Sequence, residues 1–188
     1  MNYSVLKKDQ LSDSQGYQIV AIRPEDIEAI RQWRNDQIDV LRQKKVISEE
    51  EQKAYFDTFI WPSFKQKEPK QILFSLLYKK RLIGYGGLTS IDWEAKRGEI
   101  SFLVNPERAK DDDQYHKDYF HFLMLVSQVA FDDLKLHRLF AETFDFRSKH
   151  MDILESFGFK KEGVLRDHTY KKGKWHHSIM HGAFRAGA

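Results

Sequence analysis

One stretch of the sequence changes abruptly from a helical to a strand pattern. It reads ILESFGFKKEGVLRDH and occupies residues 153–168, and the change falls within a Phe-Gly-Phe sequence without a proline or a polar loop. Gly158 can adopt the left-handed backbone conformation that ends a helix, which residues with a Cβ resist. Phe157 and Phe159 then predict apolar contacts on either side of the turn. The stretch therefore predicts a short helix that returns directly into a sheet.

The rest of the chain predicts a mixture of helices and strands in the order β-α-α-β-β-β-α-β-α-β-β. Helices are predicted to start near residues 23, 48, 113 and 148, and the second has a capping box formed by Ser48 and Glu51. Three strand patterns with short links lie between residues 72 and 104 and predict an antiparallel meander. Residues 1–16 are predicted to be a loose N-terminal arm, and residues 17–188 a single domain.

Composition excludes several classes of function. The chain has 188 residues and no cysteine, which excludes disulfides, thiolate metal sites and a cysteine nucleophile. A net charge of +3 gives no electrostatic argument for nucleic acid as a partner.

No apolar run suggests a signal peptide or a membrane span, so we expect a soluble cytoplasmic protein without a membrane partner. The histidines at positions 176, 177 and 181 do not predict a metal site, because adjacent strand residues point to opposite faces.

Several motifs together carry a resemblance to a known family. They are IRQWRN at residues 30–35, LHRL at residues 136–139 after Ala130 and Phe131, and the stretch described first, with EGVLRD at residues 162–167. With these motifs the chain resembles the GNAT superfamily of acyl-CoA N-acyltransferases, in particular the branch of ribosomal-protein N-terminal acetyltransferases and bacterial amino-sugar acetyltransferases. The resemblance implies an α+β fold, the GNAT fold, with a mixed, mostly antiparallel twisted sheet flanked by helices.

The resemblance also implies acetyl-CoA as the acyl donor and a set of residues that bind it. The family binds the CoA pyrophosphate at the start of the central helix, where free N–H groups and the helix dipole face the anion. The matching segment here is QYHKDY, residues 114–119, in which Lys117 and Tyr119 replace the small residues of the family loop. Side-chain charge is expected to compensate for the lost backbone access. The predicted cofactor-binding residues are Phe102, Leu103, Val104, Gln114, His116, Lys117, Tyr119 and Arg147.

The catalytic and acceptor residues are also implied by position in the family. Glu99 is the predicted base that removes a proton from the acceptor amine. The alternative is that Glu99 is only an exposed strand carboxylate beside Arg97. Strand alternation places Glu99 on the face opposite Ile100, Phe102 and Val104, which should be core. Leu154 stands where many relatives have a tyrosine that protonates the leaving thiolate. The predicted acceptor-binding residues are Trp33, Arg34, Asp92 and Trp93.

The function that follows is transfer of an acetyl group from acetyl-CoA to a primary amine without a metal. The acceptor is expected to be an amino sugar nucleotide or a protein N-terminus, and a homodimer is left open. The alternative is a GNAT fold that has lost acyl transfer and serves as a binding or regulatory module. The altered segment at residues 114–119 is the feature that favours this alternative.

Overall fold

A computed structural model describes residues 2–8 and 10–185, and these residues form one mixed sheet of eight strands with helices on both faces. The strands are β1 (Gln10–Ser12), β2 (Tyr17–Ala21), β3 (Ile72–Tyr78), β4 (Arg81–Asp92), β5 (Arg97–Val104), β6 (Arg138–Phe144), β7 (Lys160–Lys171) and β8 (Lys174–Phe184). Their order in the sheet is β1-β2-β3-β4-β5-β6-β8-β7. Only the β5–β6 pair is parallel among the described strands, and the other neighbours are antiparallel. The predicted α+β class is confirmed, and the predicted elements follow one another as expected, with β1 and two short helices in addition.

Six α-helices lie in the described part of the chain. They are α1 (Ile27–Asp36), α2 (Glu49–Tyr55), α3 (Trp61–Ser63), α4 (Pro106–Ala109), α5 (Asp112–Gln128) and α6 (Ser148–Phe157). The predicted capping box of Ser48 and Glu51 starts α2. A π-helical turn at Phe56–Ile60 joins α2 to α3, so Pro62 lies within the last turn and does not end the helix before it. No helix in the described ranges is long and apolar enough to cross a bilayer.

The two faces of β5 are covered by different helices. The Phe102 ring lies 4.5 Å from the Tyr119 ring and 4.9 Å from the Phe122 ring, both on α5. On the other face, Tyr85 pairs with Leu103 across the sheet and its hydroxyl accepts a hydrogen bond from Arg34 of α1. Gly86 lies opposite Phe102, and a Cβ there would come within 2.7 Å of the Phe122 ring. This close approach explains one of the glycines of β4 and lets α5 pack tightly on the sheet.

The turn at Gly158 has the predicted geometry. Gly158 has a φ of +115°, and the backbone N–H of Phe159 donates to the Leu154 carbonyl at 3.0 Å. A Cβ at Gly158 would meet no atom within 4 Å, so conformation and not space requires glycine here. Phe159 is buried, and the Phe157 ring packs 5.2 Å from Phe120 on α5. The turn thereby fixes α6 against α5.

The N-terminal segment is more ordered than the sequence predicts. Gln10–Ser12 forms β1 and pairs with β2. Tyr3 is buried, stacks on Phe64 with 4.0 Å between ring centroids, and its hydroxyl accepts a hydrogen bond from the Leu73 backbone N–H at 2.9 Å. The prediction of a loose arm is therefore wrong for these residues. Burial of one aromatic ring and a strand pairing are sufficient to hold the segment on the sheet.

Candidate active site

The strands β5 and β6 separate and open a cleft between them. Parallel pairing in the described chain runs only from Arg97–Arg138 to Glu99–Phe140, although both strands continue for several residues. The opposite edge of β5 remains paired with β4 as far as Val104. Beyond Glu99, β5 therefore presents backbone N–H and C=O groups toward the opening. Glu99 stands at the last paired position, at the apex of the split.

The cleft has a volume of about 670 Å³ and a charged lining. Glu99 is 7% exposed and is ion-paired with Arg42, which follows α1 in the chain. The same guanidinium lies 3.0 Å from the Glu142 carboxylate on β6. The Ser90 hydroxyl lies 3.4 Å from Glu99. Two carboxylates thus flank one cation at the point where the strands separate, and an incoming ammonium group would find negative charge there.

A second polar group lies on the α6 side of the cleft. Arg147 donates a hydrogen bond to the Tyr115 hydroxyl at 3.0 Å, and that hydroxyl lies 2.8 Å from Nδ1 of His150. Burial, with the nearby charge of Arg147, lowers the pKa of His150 well below its ordinary value. A neutral His150 can accept at Nδ1, so Tyr115 donates to His150 while it accepts from Arg147. Within the described ranges, Arg147 has no carboxylate at ion-pair distance.

The neutral His150 predicts a pH-dependent stability. Its pKa is below 6.5 in the folded state, so the unfolded chain binds this proton first as the pH falls. The free energy of unfolding should therefore decrease below about pH 6.5, by up to about 1.4 kcal/mol for each pH unit from this residue. His150→Gln keeps an acceptor without a titrating group, and urea unfolding at several pH values should show a shallower decrease. Parallel curves for the two proteins would contradict the burial of a neutral imidazole.

The start of α5 differs from the predicted phosphate-binding segment. Residues 114–119 lie inside the helix, which starts at Asp112. The Asp111 side chain caps this end by accepting from the Gln114 backbone N–H at 3.0 Å. The Gln114 amide donates to the buried Asp118 carboxylate at 2.8 Å. One first-turn N–H is capped by a carboxylate, and Asp112 and Asp113 add negative charge to the same turn, which is unfavourable for a pyrophosphate.

Other predicted cofactor residues on α5 also lie away from the cleft. His116 and Lys117 are exposed and line a separate surface depression beside residues 13–15. Tyr119 is buried between the Phe102 ring and the His150 ring, with 4.2 Å between the His150 and Tyr119 centroids. The predictions for His116, Lys117 and Tyr119 are not supported by this placement. The helical period turns two of these residues to solvent and the third into the core.

On β5, the predicted cofactor residues flank the opening. Phe102 lines the cleft, whereas the Leu103 and Val104 side chains are buried in the core. The Val104 carbonyl accepts a hydrogen bond from Gln37 at 2.8 Å. The side chains of these two residues are therefore not available to a ligand in the cleft, and the Val104 carbonyl is already engaged. The Arg147 side chain lines the cleft.

The predicted acceptor residues separate into two groups. Arg34 lines the cleft and also a neighbouring pocket. Trp33 packs against the core. Asp92 caps the following turn by accepting from the Ala95 N–H at 2.9 Å, and the Trp93 indole donates to the Pro69 carbonyl at 3.0 Å. Trp33, Asp92 and Trp93 are therefore explained by packing and turn contacts outside the cleft.

Two cleft residues, and one hydroxyl that contacts Arg147 behind the cleft, have no counterpart in the sequence predictions. Arg42, Glu142 and the Tyr115 hydroxyl meet Glu99 or Arg147 only through the tertiary fold. The only sequence signal for any of them is that Glu142 lies in the strand predicted after the central helix. The hairpin histidines form separate pairs: His176 lies 2.9 Å from Asp145 and His181 lies 3.1 Å from Glu155. Across the described chain, no three His, Asp or Glu residues converge on a metal position.

Comparison with known proteins agrees with this architecture. The spermidine N-acetyltransferase of Vibrio cholerae, solved with CoA and spermine, has a TM-score of 0.77 and 18% identity over 92% of this chain and 96% of that chain. The ribosomal-protein-S5-alanine acetyltransferase of Vibrio fischeri has a TM-score of 0.73 and 18% identity over 96% and 98% of the two chains. At this identity the likeness shows the fold. No curated protein matches the chain significantly.

A family model described as the acetyltransferase (GNAT) domain matches residues 19–180. The match runs from within β2 to within β8 and includes both sides of the β5–β6 split and Glu99 at its apex. The chain therefore belongs to the GNAT acetyltransferase family.

Proposed function

We propose that the chain forms one acetyltransferase domain, in which β1 and Tyr3 join the predicted residues 17–188, and that it transfers the acetyl group of acetyl-CoA to a primary amine in the cleft between β5 and β6. The observation that carries the proposal is the split itself, with a buried carboxylate, Glu99, at its apex. The acceptor classes suggested by the family are an amino sugar nucleotide and a protein N-terminus. The reaction is a direct transfer, because the chain has no cysteine to form a thioester intermediate.

The free edge of β5 fits the amide-bearing arm of CoA. Beyond Glu99 the strand has no partner on the β6 side in the described residues, so its N–H and C=O groups can pair with those of the ligand. Arg147 lines the same cleft and has no carboxylate partner there, so it is the proposed phosphate contact. The capped start of α5 does not fit, so the negative groups are held by side-chain charge near α6 instead.

Glu99 is the proposed base. It takes a proton from the acceptor ammonium, either directly or through water, and the neutral nitrogen then attacks the thioester carbonyl carbon. The C–N bond forms, the C–S bond breaks and CoA leaves as a thiolate that must be protonated. Arg42 is ion-paired with Glu99 and is itself shared with Glu142. Water is the proposed proton donor to the thiolate, because Leu154 stands where many relatives have a tyrosine.

The direct test measures binding and turnover separately. Acetyl-CoA should raise the melting temperature, since a ligand that binds only the native state stabilises it. Release of the CoA thiol should then require a primary amine. Binding without release, over a panel of amines, would instead favour the non-catalytic alternative, and no binding at millimolar acetyl-CoA would contradict the proposed site.

Arg147 and Lys117 provide a matched pair of predictions for the phosphate contact. Arg147→Ala should weaken acetyl-CoA binding by about 1.5–3 kcal/mol, the range for a hydrogen bond to a charged group. Lys117→Ala should change the affinity less than about threefold, because Lys117 lies in another depression. Isothermal titration of the two variants measures both effects. A larger loss with Lys117→Ala would place the phosphates at α5 and contradict the assignment to Arg147.

A further inference from the structure

A second cavity, the apolar pocket, opens from the cleft between the α1–α2 side and the sheet. It has a volume of about 630 Å³, and its apolar walls include Ile30, Ile47, Tyr55, Phe56, Phe59 and Leu73. Arg34, Gln71 and Thr89 line both the pocket and the cleft, so the two are continuous. A pocket of this size next to the reacting groups can receive a small organic molecule.

The apolar walls continue to the outer surface. Tyr55 and Phe59 line the pocket and are 41% and 56% exposed, with 5.5 Å between their rings. The π-helical turn at Phe56–Ile60 begins directly after Tyr55 and carries Phe59. Such turns occur frequently at functional sites because they displace side chains from the regular helical positions. The exposed rings give the pocket an apolar rim.

Two polar side chains in the pocket could each accept a further partner from a ligand, since one has an unpaired donor and the other has no carboxylate beside it. Gln52 is 4% exposed, and its amide nitrogen has no hydrogen-bond partner in the described chain. A buried donor without a partner is unfavourable and rare. Arg34 donates to the Tyr85 hydroxyl at 2.6 Å and to the Gln43 amide oxygen at 3.1 Å, yet has no carboxylate at ion-pair distance among the described residues. Both groups would be satisfied by oxygen acceptors.

The charges of the pocket discriminate among acceptor classes. Glu51, the acidic residue of the lining, is ion-paired with Lys45, which also lines the pocket. Arg34 has no carboxylate partner among the described residues. A polyamine would place a second ammonium near Arg34, which is unfavourable. A sugar would place several hydroxyls against apolar walls with few partners. An amine with an apolar body and an oxygen anion or carbonyl oxygen matches the lining.

We propose that the acceptor is a primary amine on an apolar body that carries a carboxylate or carbonyl oxygen. The amine faces Glu99 in the cleft, the apolar body occupies the pocket, and the oxygen accepts from Arg34. This inference rests on the proposed acetyl transfer. An apolar free amino acid and the amino terminus of a peptide with an apolar first residue share this chemistry.

The test compares kcat/KM across matched acceptors. The apolar acceptors are phenylalanine, the dipeptide phenylalanyl-alanine and phenethylamine. The polar acceptors are serine, spermidine and glucosamine. Phenylalanine or its dipeptide should exceed every polar acceptor by at least about tenfold, since one apolar group in such a pocket changes kcat/KM by about 10- to 200-fold. Whichever of phenylalanine and phenylalanyl-alanine has the higher kcat/KM shows whether the acceptor is a free amino acid or a peptide amino terminus. Equal or higher kcat/KM for spermidine, glucosamine or serine would overturn the inference.

Two variants connect the preference to the pocket. Ala54 is exposed and lines the pocket, so Ala54→Phe should reduce the phenylalanine-to-serine ratio by about tenfold or more. Lys53→Phe places the same ring one position away, outside the pocket, and should preserve the ratio. Arg34→Met should bring the ratio of phenylalanine to phenethylamine from about tenfold or more toward one. Unchanged ratios in Ala54→Phe and Arg34→Met would overturn the inference.

Binding of acetyl-CoA is measured in the same samples by thermal shift. If acetyl-CoA binds and only the polar amines are acetylated, the inference fails and the proposed function stands. If acetyl-CoA does not bind and no amine is acetylated, the proposed function fails and the inference fails with it.

Discussion

Glu99→Gln is expected to lower kcat by roughly 10²- to 10⁴-fold, the usual contribution of a positioned general base. The amide cannot take the ammonium proton, but it has nearly the same shape and can still contact Arg42. Acetyl-CoA affinity and melting temperature should therefore remain close to those of the unsubstituted protein. The loss should become smaller at high pH, where more of the acceptor amine is already neutral. Steady-state kinetics from about pH 7 to pH 10 measure both effects.

Glu142→Gln is the matched control, because Glu142 contacts the same Arg42 guanidinium from β6. It removes one negative charge from the cleft without removing the proposed base, so its effect on kcat should be far smaller. Turnover of Glu99→Gln within a few-fold of the unsubstituted protein would remove Glu99 from the mechanism. A larger loss in Glu142→Gln would transfer the role of base to Glu142.

Asp118→Ala is expected to reduce the free energy of unfolding by about 3–5 kcal/mol, the range for breaking a buried ion pair. The Asp118 side chain is fully buried and accepts two hydrogen bonds from Arg108, at 2.6 and 2.7 Å. It also accepts from the Tyr17 hydroxyl at 2.9 Å and from Gln114 at 2.8 Å. Alanine would leave a guanidinium without its counterion and two further donors without their acceptor. Urea unfolding measures the loss.

Glu107→Ala provides the contrast within the same segment. Glu107 lies 2.7 Å from Lys110 in a pair whose two side chains are 76% and 70% exposed. Such an exposed pair contributes about 0–1 kcal/mol, so the free energy of unfolding should hardly change. Equal effects of Asp118→Ala and Glu107→Ala would show that the buried network does not stabilise the fold.

The parts of the structure that local patterns govern could be predicted from the sequence. Alternation along β5 separates Glu99 from Phe102 because successive strand residues face opposite sides, and the structure has α5 on one face and the α1 side on the other. Gly158 marks the end of α6 because its backbone conformation is restricted to glycine. The capping box at Ser48 follows from two residues three positions apart.

Contacts between distant parts of the chain could not be predicted. Arg42 and Glu99 are 57 positions apart, and no local pattern indicates that they meet. The residues around Tyr3 are polar, as in a surface arm, yet the Tyr3 hydroxyl accepts a hydrogen bond from the Leu73 backbone N–H. The start of α5 agrees with the helix predicted near residue 113, but the phosphate-binding role of residues 114–119 came from the resemblance alone. In this chain an aspartate cap and the Asp118–Arg108 pair extend the helix through residues 114–119.

The central claim is that acetyl-CoA binds in the split between β5 and β6 with its thioester at Glu99. A crystal structure of the protein with CoA tests this most directly. We expect the pantetheine arm to pair with the free edge of β5 beyond Glu99, the sulfur to lie beside the Glu99 carboxylate, and the phosphates to contact Arg147. CoA bound in the surface depression beside Lys117, or anywhere outside the split, would contradict the claim.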